Sequence, residues 1–102
     1  MSFGGYMKVY AKHPSNPYHT IWVKNDLKEL QKFVGGYIEA VSVEPGITVI
    51  CNEDGRIFDM AYNCAICGIS FVGSILVVGT EGDEFTDVPD WAEEFLRENT
   101  ED

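Results

Sequence analysis

The stretch LQKFVGGYIEAVSVEPGITVICNEDG, residues 30–55, decides the fold, because a helical pattern meets two glycines there and changes into an alternating one. With Leu27 just before it, the helical part places Leu30 and Val34 on one face. Beyond the glycines, residues 37–43 alternate as a strand, a Pro-Gly turn follows, and residues 47–52 return as a second strand. We therefore expect a helix that leads directly into an antiparallel hairpin.

Gly35 and Gly36 admit two interpretations, a loop that cradles phosphate or a joint between helix and strand. Phosphate-binding glycines precede a helix, where free N–H groups and the positive end of the helix dipole face the anion. These glycines follow the last turn of their helix, where carbonyl groups are free instead. The pattern favours Gly35 as a left-handed residue that ends the helix, and Gly36 as a point of close approach to neighbouring backbone.

Upstream of this stretch, two short strands and a stiff loop are expected. Met7–Ala11 and Ile21–Lys24 have strand patterns, and the loop HPSNPYH between them contains two prolines within four residues. Asp26 and Glu29 stand at capping-box spacing, so the helix is expected to begin directly after Asn25 and Asp26.

Downstream, the turn Glu53-Asp54-Gly55 predicts a hairpin into a third strand, Arg56–Met60, which would complete a three-stranded meander. Residues 61–68 are mixed in character and suggest no more than one helical turn. Phe71–Val78 is largely apolar and predicts one strand buried on both faces.

A last helix is expected from Asp87 or Val88, with Pro89 in its first turn. Its i,i+4 pairs would face the sheet. These pairs are Trp91 with Phe95 and Ala92 with Leu96.

The elements together predict an α+β fold, an antiparallel β-sheet of about five strands packed with two α-helices. A chain of 102 residues corresponds to a single domain, 1–102, with an acidic C-terminal helix and tail at 81–102. An exposed strand edge such as Met7–Ala11 would allow two chains to pair, so a homodimer is one arrangement that the sequence permits.

Composition indicates a protein of the cytoplasm with no membrane segment. No apolar run reaches the roughly 18 residues of a membrane span, and the start MSFGGYMKVYAKH has no segment of signal-peptide type. The three cysteines suit a reducing compartment better than a disulfide framework.

The net charge of −10 is concentrated at one end of the chain. After position 80 ten acidic residues accompany only Arg97, whereas the first 80 residues are close to neutral. This layout argues against direct nucleic-acid binding, which needs clustered Lys and Arg, and favours a basic protein surface as partner. Apart from that hypothesis, the acids could form an ordinary solvated helix and tail. The residues expected to contact that basic partner are Asp83, Glu84, Asp87, Asp90, Glu93, Glu94 and Glu98.

Four segments carry a family resemblance: LQKFVGGYIEAV, ITVICNEDGRI, the asparagine of AYNCA, and VGSILVVG. Over residues 27–79 the chain resembles the family called domain of unknown function 3846, small proteins of phages and gut bacteria. The resemblance implies a phage, prophage or mobile-element setting. It implies no activity and no catalytic residues.

The residues that could carry chemistry form no complete site. Cys64 and Cys67 make a single CxxC, which lacks the second ligand pair of a structural zinc site and the thioredoxin-like context of a redox pair, so they and Cys51 are expected to be buried side chains. His13 and His19 flank the proline loop without a recognisable nucleophile turn. The sequence therefore predicts a protein that is not an enzyme and holds no metal or cofactor.

A second hypothesis concerns a small nucleotide-like anion. Lysines on the first helix would supply positive charge, with two more on the first strand, and aromatic side chains would offer a stacking surface. A solvated helix face that binds no ligand would explain these lysines equally well. The residues expected at such a site are Lys24, Lys28, Lys32, Tyr18, Trp22 and Tyr37, with Lys8, Lys12 and Tyr10 in support.

The sequence thus favours a non-enzymatic counter-defence or host-takeover inhibitor that binds through its acidic end, ahead of a ligand-sequestering module.

Overall fold

A computed structural model describes residues 5–102 of the predicted domain 1–102. The first four residues, with which the segment MSFGGYMKVYAKH begins, lie outside the described part of the chain. The elements are two helices and nine strands within the described residues. In chain order they are β1 Tyr6–Lys12, β2 His19–Lys24, α1 Leu27–Val34, β3 Ile38–Glu44, β4 Ile47–Asn52, β5 Tyr62–Ile66, β6 Ile69–Val72, β7 Ile75–Glu81, β8 Glu84–Thr86, α2 Ala92–Asn99 and β9 Thr100–Glu101.

The larger sheet has the antiparallel order β2-β1-β7-β4-β3, with β8 pairing the far end of β7. The smaller sheet has the order β6-β5-β9 and is also antiparallel. The α+β class predicted from the sequence is confirmed. The strand count was underestimated because neither the second sheet nor β8 of the larger sheet was foreseen.

The larger sheet is covered on both faces. One face packs on α1 through Val9, Leu30, Ile50 and Leu76, all at most 2 % exposed. The opposite face is covered by α2 and the smaller sheet, and its buried residues are Ile47, Val49, Cys51, Cys64, Ile66, Phe71, Ile75, Val77, Val88, Ala92 and Leu96. Strands β4 and β7 contribute to both clusters, which explains their nearly continuous apolar sequences.

Both ends of α1 follow the sequence prediction. Asp26 is the N-cap, and its carboxylate accepts hydrogen bonds from the backbone N–H groups of Lys28 and Glu29. Gly35 ends the helix at φ +81°, in the left-handed region that glycine adopts at little cost. On the predicted apolar face Leu30 and Val34 are buried, whereas Leu27 is exposed.

Gly36 does approach another part of the chain closely, but its neighbour is a side chain and not backbone. A Cβ atom at Gly36 would lie 2.9 Å from Nδ2 of Asn52. That amide donates to the carbonyl oxygen of Val34, while Oδ1 of Asn52 accepts from the N–H of Asp54. Asn52 therefore ties the end of α1 to the turn after β4.

The predicted third strand at Arg56–Met60 is wrong. Residues 53–60 form consecutive turns, in which the N–H of Phe58 bonds the carbonyl of Asp54 and the N–H of Met60 bonds that of Gly55. The edge of β4 that a meander would have used is occupied by β7, whose side chains are buried on both faces. A strand that buries two faces gains more from this central position than RIFDM would.

The predictions for residues 61–78 need two corrections. Residues 61–68 are not a helical turn, because β5 and β6 form a hairpin whose turn residues Cys67 and Gly68 both have positive φ. Phe71–Val78 is not one strand, because Gly73 at φ +75° lets the chain leave the smaller sheet at β6 and enter the larger one at β7. Residues 75–78 are buried on both faces, as predicted.

The last helix begins later than predicted, at Ala92. Residues 87 and 88 continue along β1 instead, since the N–H of Val88 bonds the carbonyl of Lys8 and the N–H of Lys8 bonds Oδ1 of Asp87. Strand β2 pairs with one edge of β1, and β7 together with residues 87 and 88 covers the other edge. Met7–Ala11 is therefore not the exposed edge that the sequence suggested for the pairing of two chains.

Candidate functional site

The acidic residues of α2 form one exposed surface. In a helix of 3.6 residues per turn, Glu93, Glu94 and Glu98 project within an arc of about 140°, opposite the buried pair Ala92 and Leu96, and the exposed Asp90 lies in the turn just before α2. We call these four residues the acidic surface. Glu93 of this surface pairs with Arg97 across 3.9 Å, and both side chains are largely exposed. The charges of this surface are therefore available to a partner.

Other acids of the predicted set lie apart from the acidic surface. Asp83 and Glu84 stand at the turn between β7 and β8, and Glu84 is half-buried. Asp87 uses one carboxylate oxygen to accept from the backbone of Lys8, so it also has a structural role. Thus the seven predicted contact residues do not share a single face.

An aromatic side chain borders the acidic surface. Trp91 is 49 % exposed and meets Phe95 edge to face, with ring centroids 6.0 Å apart. It lies over the turn between β3 and β4, where a Cβ atom at Gly46 would be 3.5 Å from Cζ2 of Trp91. A rigid tryptophan beside exposed charges is the kind of side chain that anchors protein interfaces.

Tyr10 and Tyr18 lie on the inner side of α2. Burial, followed by the charges of Glu93 and Asp90, raises the pKa of Tyr10. A small cleft of about 130 Å³ separates α2 from β1 and β2 here, lined in part by Tyr10, Tyr18 and Glu93. Tyr18 is half-buried and shares a 2.9 Å hydrogen bond with the hydroxyl of Thr100, and burial raises its pKa.

Part of the predicted anion site does come together. Trp22, Lys24 and Lys32 line an open groove of about 610 Å³ between β2 and α1. Tyr6, Val23, Glu29 and Phe33 complete its lining. The volume lies within the range of small-ligand sites, and two ammonium groups with an exposed indole suit an aromatic anion. We call this the lysine groove.

Other residues predicted for the anion site are elsewhere. Tyr18 faces α2, and Tyr37 precedes β3, the opposite edge of the sheet from β2. Four strand spacings separate these edges, about 19 Å. Lys28 does not line the groove, and Lys8 and Tyr10 occupy the sheet face that α1 does not cover.

Lys12 has a different role from the one predicted, because it is only 3 % exposed. Its ammonium donates to Oδ1 of Asn63 over 2.9 Å and lies 3.3 Å from the carboxylate of Asp102. The amide of Asn63 donates to the carbonyls of Lys12 and Gly73, each over 2.8 Å. This network joins β1, β5 and β9. The one signal for it in the sequence was Asn63, a polar residue among the segments that carry the family resemblance.

The proline loop is held by His13. Its Nδ1 is 2.6 Å from the hydroxyl of Ser74, and its ring stacks on Phe33 with centroids 5.4 Å apart. His19 lies 5.8 Å away, centroid to centroid. Within residues 5–102, no three His, Cys, Asp or Glu side chains are grouped so that they could hold a metal ion.

The cysteines are free, and two of the three are buried as predicted. Cys67 is the exception, because it is exposed in the β5–β6 turn at φ +53°. Burial, then the charge of Glu39, raises the pKa of Cys51 to about 11. Burial also raises the pKa of Cys64, which Lys12 opposes and Asp102 reinforces.

Sequence reasoning missed one exposed apolar feature, the turn that follows β4. Ile57 and Phe58 are 79 % and 65 % exposed there. Beside them Arg56 donates to the carbonyl of Ser70, at the rim of a groove of about 260 Å³ between β3 and β6. The pattern RIFDM resembled a strand, so this exposure was not predicted.

Within the described residues, neither helix is long and apolar enough to span a membrane. Comparison with curated proteins and with solved structures finds no match. The family described as Domain of unknown function (DUF3846) matches over residues 7–100, well beyond the 27–79 suggested by sequence motifs. Both helices and all of both sheets except Tyr6 and Glu101 fall inside that match, and the chain belongs to the DUF3846 family.

Proposed function

We propose that this protein is a small non-enzymatic accessory protein of phages or mobile elements that inhibits a basic host protein by docking through its acidic surface. The observation that carries the proposal is the acidic surface, formed by Glu93, Glu94 and Glu98 on α2 and by Asp90 in the turn before it, with the exposed Trp91 at its border. The mobile-element setting and the cytoplasmic location rest on the family resemblance and the composition.

The charge layout supports a protein partner. The four carboxylates of the acidic surface attract a basic patch over several ångströms and speed its encounter with this protein. Trp91, once desolvated by a partner, would supply the contact that gives such an encounter affinity. Asp83 and Glu84 extend the negative potential at the same end of the sheet, since Thr80 bonds to Gly46, over which Trp91 lies.

The test begins with capture of partners from a bacterial lysate at low salt, followed by affinity measurement with the purified partner. The variant D90Q/E93Q/E94Q/E98Q removes the acidic surface without touching the buried Ala92 and Leu96. Its matched control is E39Q/E44Q/E53Q/E101Q, which removes four exposed acids elsewhere. We expect the first variant to bind the partner at least about tenfold more weakly. Its affinity should also depend much less on salt, because salt screens exposed charges beyond about 8 Å at 0.15 M and the variant has lost those charges. Equal affinity of the two variants would contradict the proposal.

The lysine groove supports a second candidate function, capture of a nucleotide-like anion. Trp22 provides a stacking face, and Lys24 and Lys32 provide charge within the same groove. A nucleotide at 100 times its dissociation constant would stabilise the fold by about 2.7 kcal/mol. Thermal unfolding with nucleoside mono- and triphosphates tests this, with W22A and K32Q expected to abolish the shift and K28Q to retain it. No shift in the wild type with any nucleotide would exclude this function.

A further inference from the structure

We propose that the cavity beneath the HPSNPYH loop is a binding site for a small carboxylate or phosphate anion, with Lys12 as its fixed cation and Asp102 as a built-in competitor. The cavity has a volume of about 370 Å³ and is lined by Ser15, Asn16, Pro17, Tyr62, Asn63 and Asp102. Lys12 lies behind this lining, where its ammonium contacts the lining residues Asn63 and Asp102. It is separate from both the acidic surface and the lysine groove, so the inference does not depend on the proposed function.

The ammonium of Lys12 is unusually well fixed for a lysine. Its side chain is 97 % removed from solvent, and Asn63 orients the ammonium across 2.9 Å. Asn63 is itself locked by its two bonds to the carbonyls of Lys12 and Gly73. A buried positive charge is costly unless an anion compensates it, so this position demands a negative partner.

The partner present is an exposed one. Asp102 reaches the ammonium at 3.3 Å, yet its side chain is 83 % exposed. Its support is the two-residue strand β9, which pairs with Ala65 and Ile66 of β5. Water competes with Lys12 for this carboxylate but hardly reaches the ammonium, so the ion pair can open by movement of Asp102 alone. The Asp102 carboxylate thus marks where an external anion would bind and shows that such a group can reach Lys12.

The cavity offers suitable chemistry around that position. Ser15 and Tyr62 contribute hydroxyl groups to the lining, which can donate to anion oxygens, and Pro17 stiffens the wall. The volume accommodates a phosphate or a short dicarboxylate. A ligand would displace Asp102 from Lys12 and leave the Asn63 network intact.

The test follows the side-chain amide signals of Asn63 and the backbone amide of residue 102 by NMR, during titration with sodium phosphate or sodium succinate at constant ionic strength set by NaCl. D102N removes the competitor. E101Q removes the neighbouring charge, which has no ion pair with Lys12 among the described contacts, and is the matched control. If Asp102 occupies the site nine-tenths of the time, its removal tightens the apparent affinity by about tenfold.

We expect saturable shifts of the Asn63 signals that are about tenfold tighter in D102N than in the wild type, with E101Q like the wild type. Adding K12Q to D102N should abolish them, since Gln keeps a donor for Asn63 but no charge. In the wild type, the signals of Asn63 and residue 102 should move together as the anion displaces the carboxylate. The proposal is overturned if D102N binds no tighter than E101Q, if the K12Q variant still binds, or if the wild-type signals do not move together.

Discussion

Asn52 donates its side-chain amide to the carbonyl oxygen of Val34 across 3.1 Å, 18 positions earlier in the chain. The acceptor is one of the carbonyls that the end of α1 leaves without an intrahelical partner. One side chain thus joins the helix to the central strand β4.

Replacement of Asn52 by alanine tests how much this hydrogen-bonded link contributes to the stability of the fold. Asn52 is 5 % exposed, and its loss leaves the carbonyl of Val34 and the N–H of Asp54 without these bonds. We expect N52A to lower the free energy of unfolding by about 1–3 kcal/mol, measured by urea denaturation. N16A, in the exposed loop, should change it by less than about 0.5 kcal/mol. Equal effects of the two substitutions would show that Asn52 does not hold the helix end.

Gly36 and Asn52 should be energetically coupled. A Cβ at Gly36 would lie 2.9 Å from Nδ2 of Asn52, so G36A must push the amide away from Val34. In the N52A background that contact is already gone, so G36A should cost less there, with a coupling of about 0.5–3 kcal/mol. The measurement is a double-mutant cycle of unfolding free energies. Additive effects would mean that the clash is relieved by a backbone shift.

Stability should fall at alkaline pH. The folded pKa of Cys51 is about 11 against an ordinary 9.0, so between these values the unfolded chain loses the proton that the folded chain keeps. Fewer bound protons in the unfolded state make the unfolding free energy decrease as pH rises from 9 to 11, by up to about 3 kcal/mol from this thiol. Burial raises the pKa of Tyr18 and Cys64 too, so their contributions have the same sign.

Urea denaturation at pH 8, 9.5 and 10.5 measures this decline. C51V, which has no thiol to titrate, should show a shallower slope over the same range. If the slope of C51V matched that of the wild type, Cys51 would not be the source.

The three thiols should react at very different rates. Cys67 is exposed, whereas Cys51 and Cys64 are buried. At pH 8 a thiol reagent such as 5,5′-dithiobis(2-nitrobenzoic acid) should modify one thiol rapidly in the native protein and all three in denaturant. C67S should remove the rapid phase. A rapid phase that survives in C67S would indicate local opening at Cys51 or Cys64.

Local signals in the sequence were sufficient for the elements whose structure is decided nearby. Asp26 and Gly35 cap α1 as predicted, because capping depends on bonds within one turn. The hairpin of β3 and β4 followed from alternation and a Pro-Gly turn. The apolar run at 75–78 indicated burial on both faces, and β7 does lie between β4 and β1.

Long-range competition decided what was missed. RIFDM alternates like a strand, but β7 takes the place beside β4, and no local pattern reports a competitor 20 residues away. The candidate sites show the same limit. Trp22 and Lys32 were predicted and lie in one groove, whereas Tyr37 was assigned to the wrong edge and Lys12 to the wrong environment. Charge type can be read from a sequence, but burial of a lysine depends on partners such as Asn63 and Asp102.

The hydrogen bond between Tyr18 and Thr100 spans 82 positions, and that between Lys8 and Asp87 spans 79. Because β7, the centre of the larger sheet, arrives late in the chain, a nascent polypeptide that ends before residue 75 exposes the apolar β4 and cannot form either sheet as it stands in the native state. Contacts this distant in sequence slow folding relative to helical domains of similar size. We therefore expect folding to be completed only after synthesis of β9, during an interval when the apolar strands depend on rapid collapse or on chaperones to avoid aggregation.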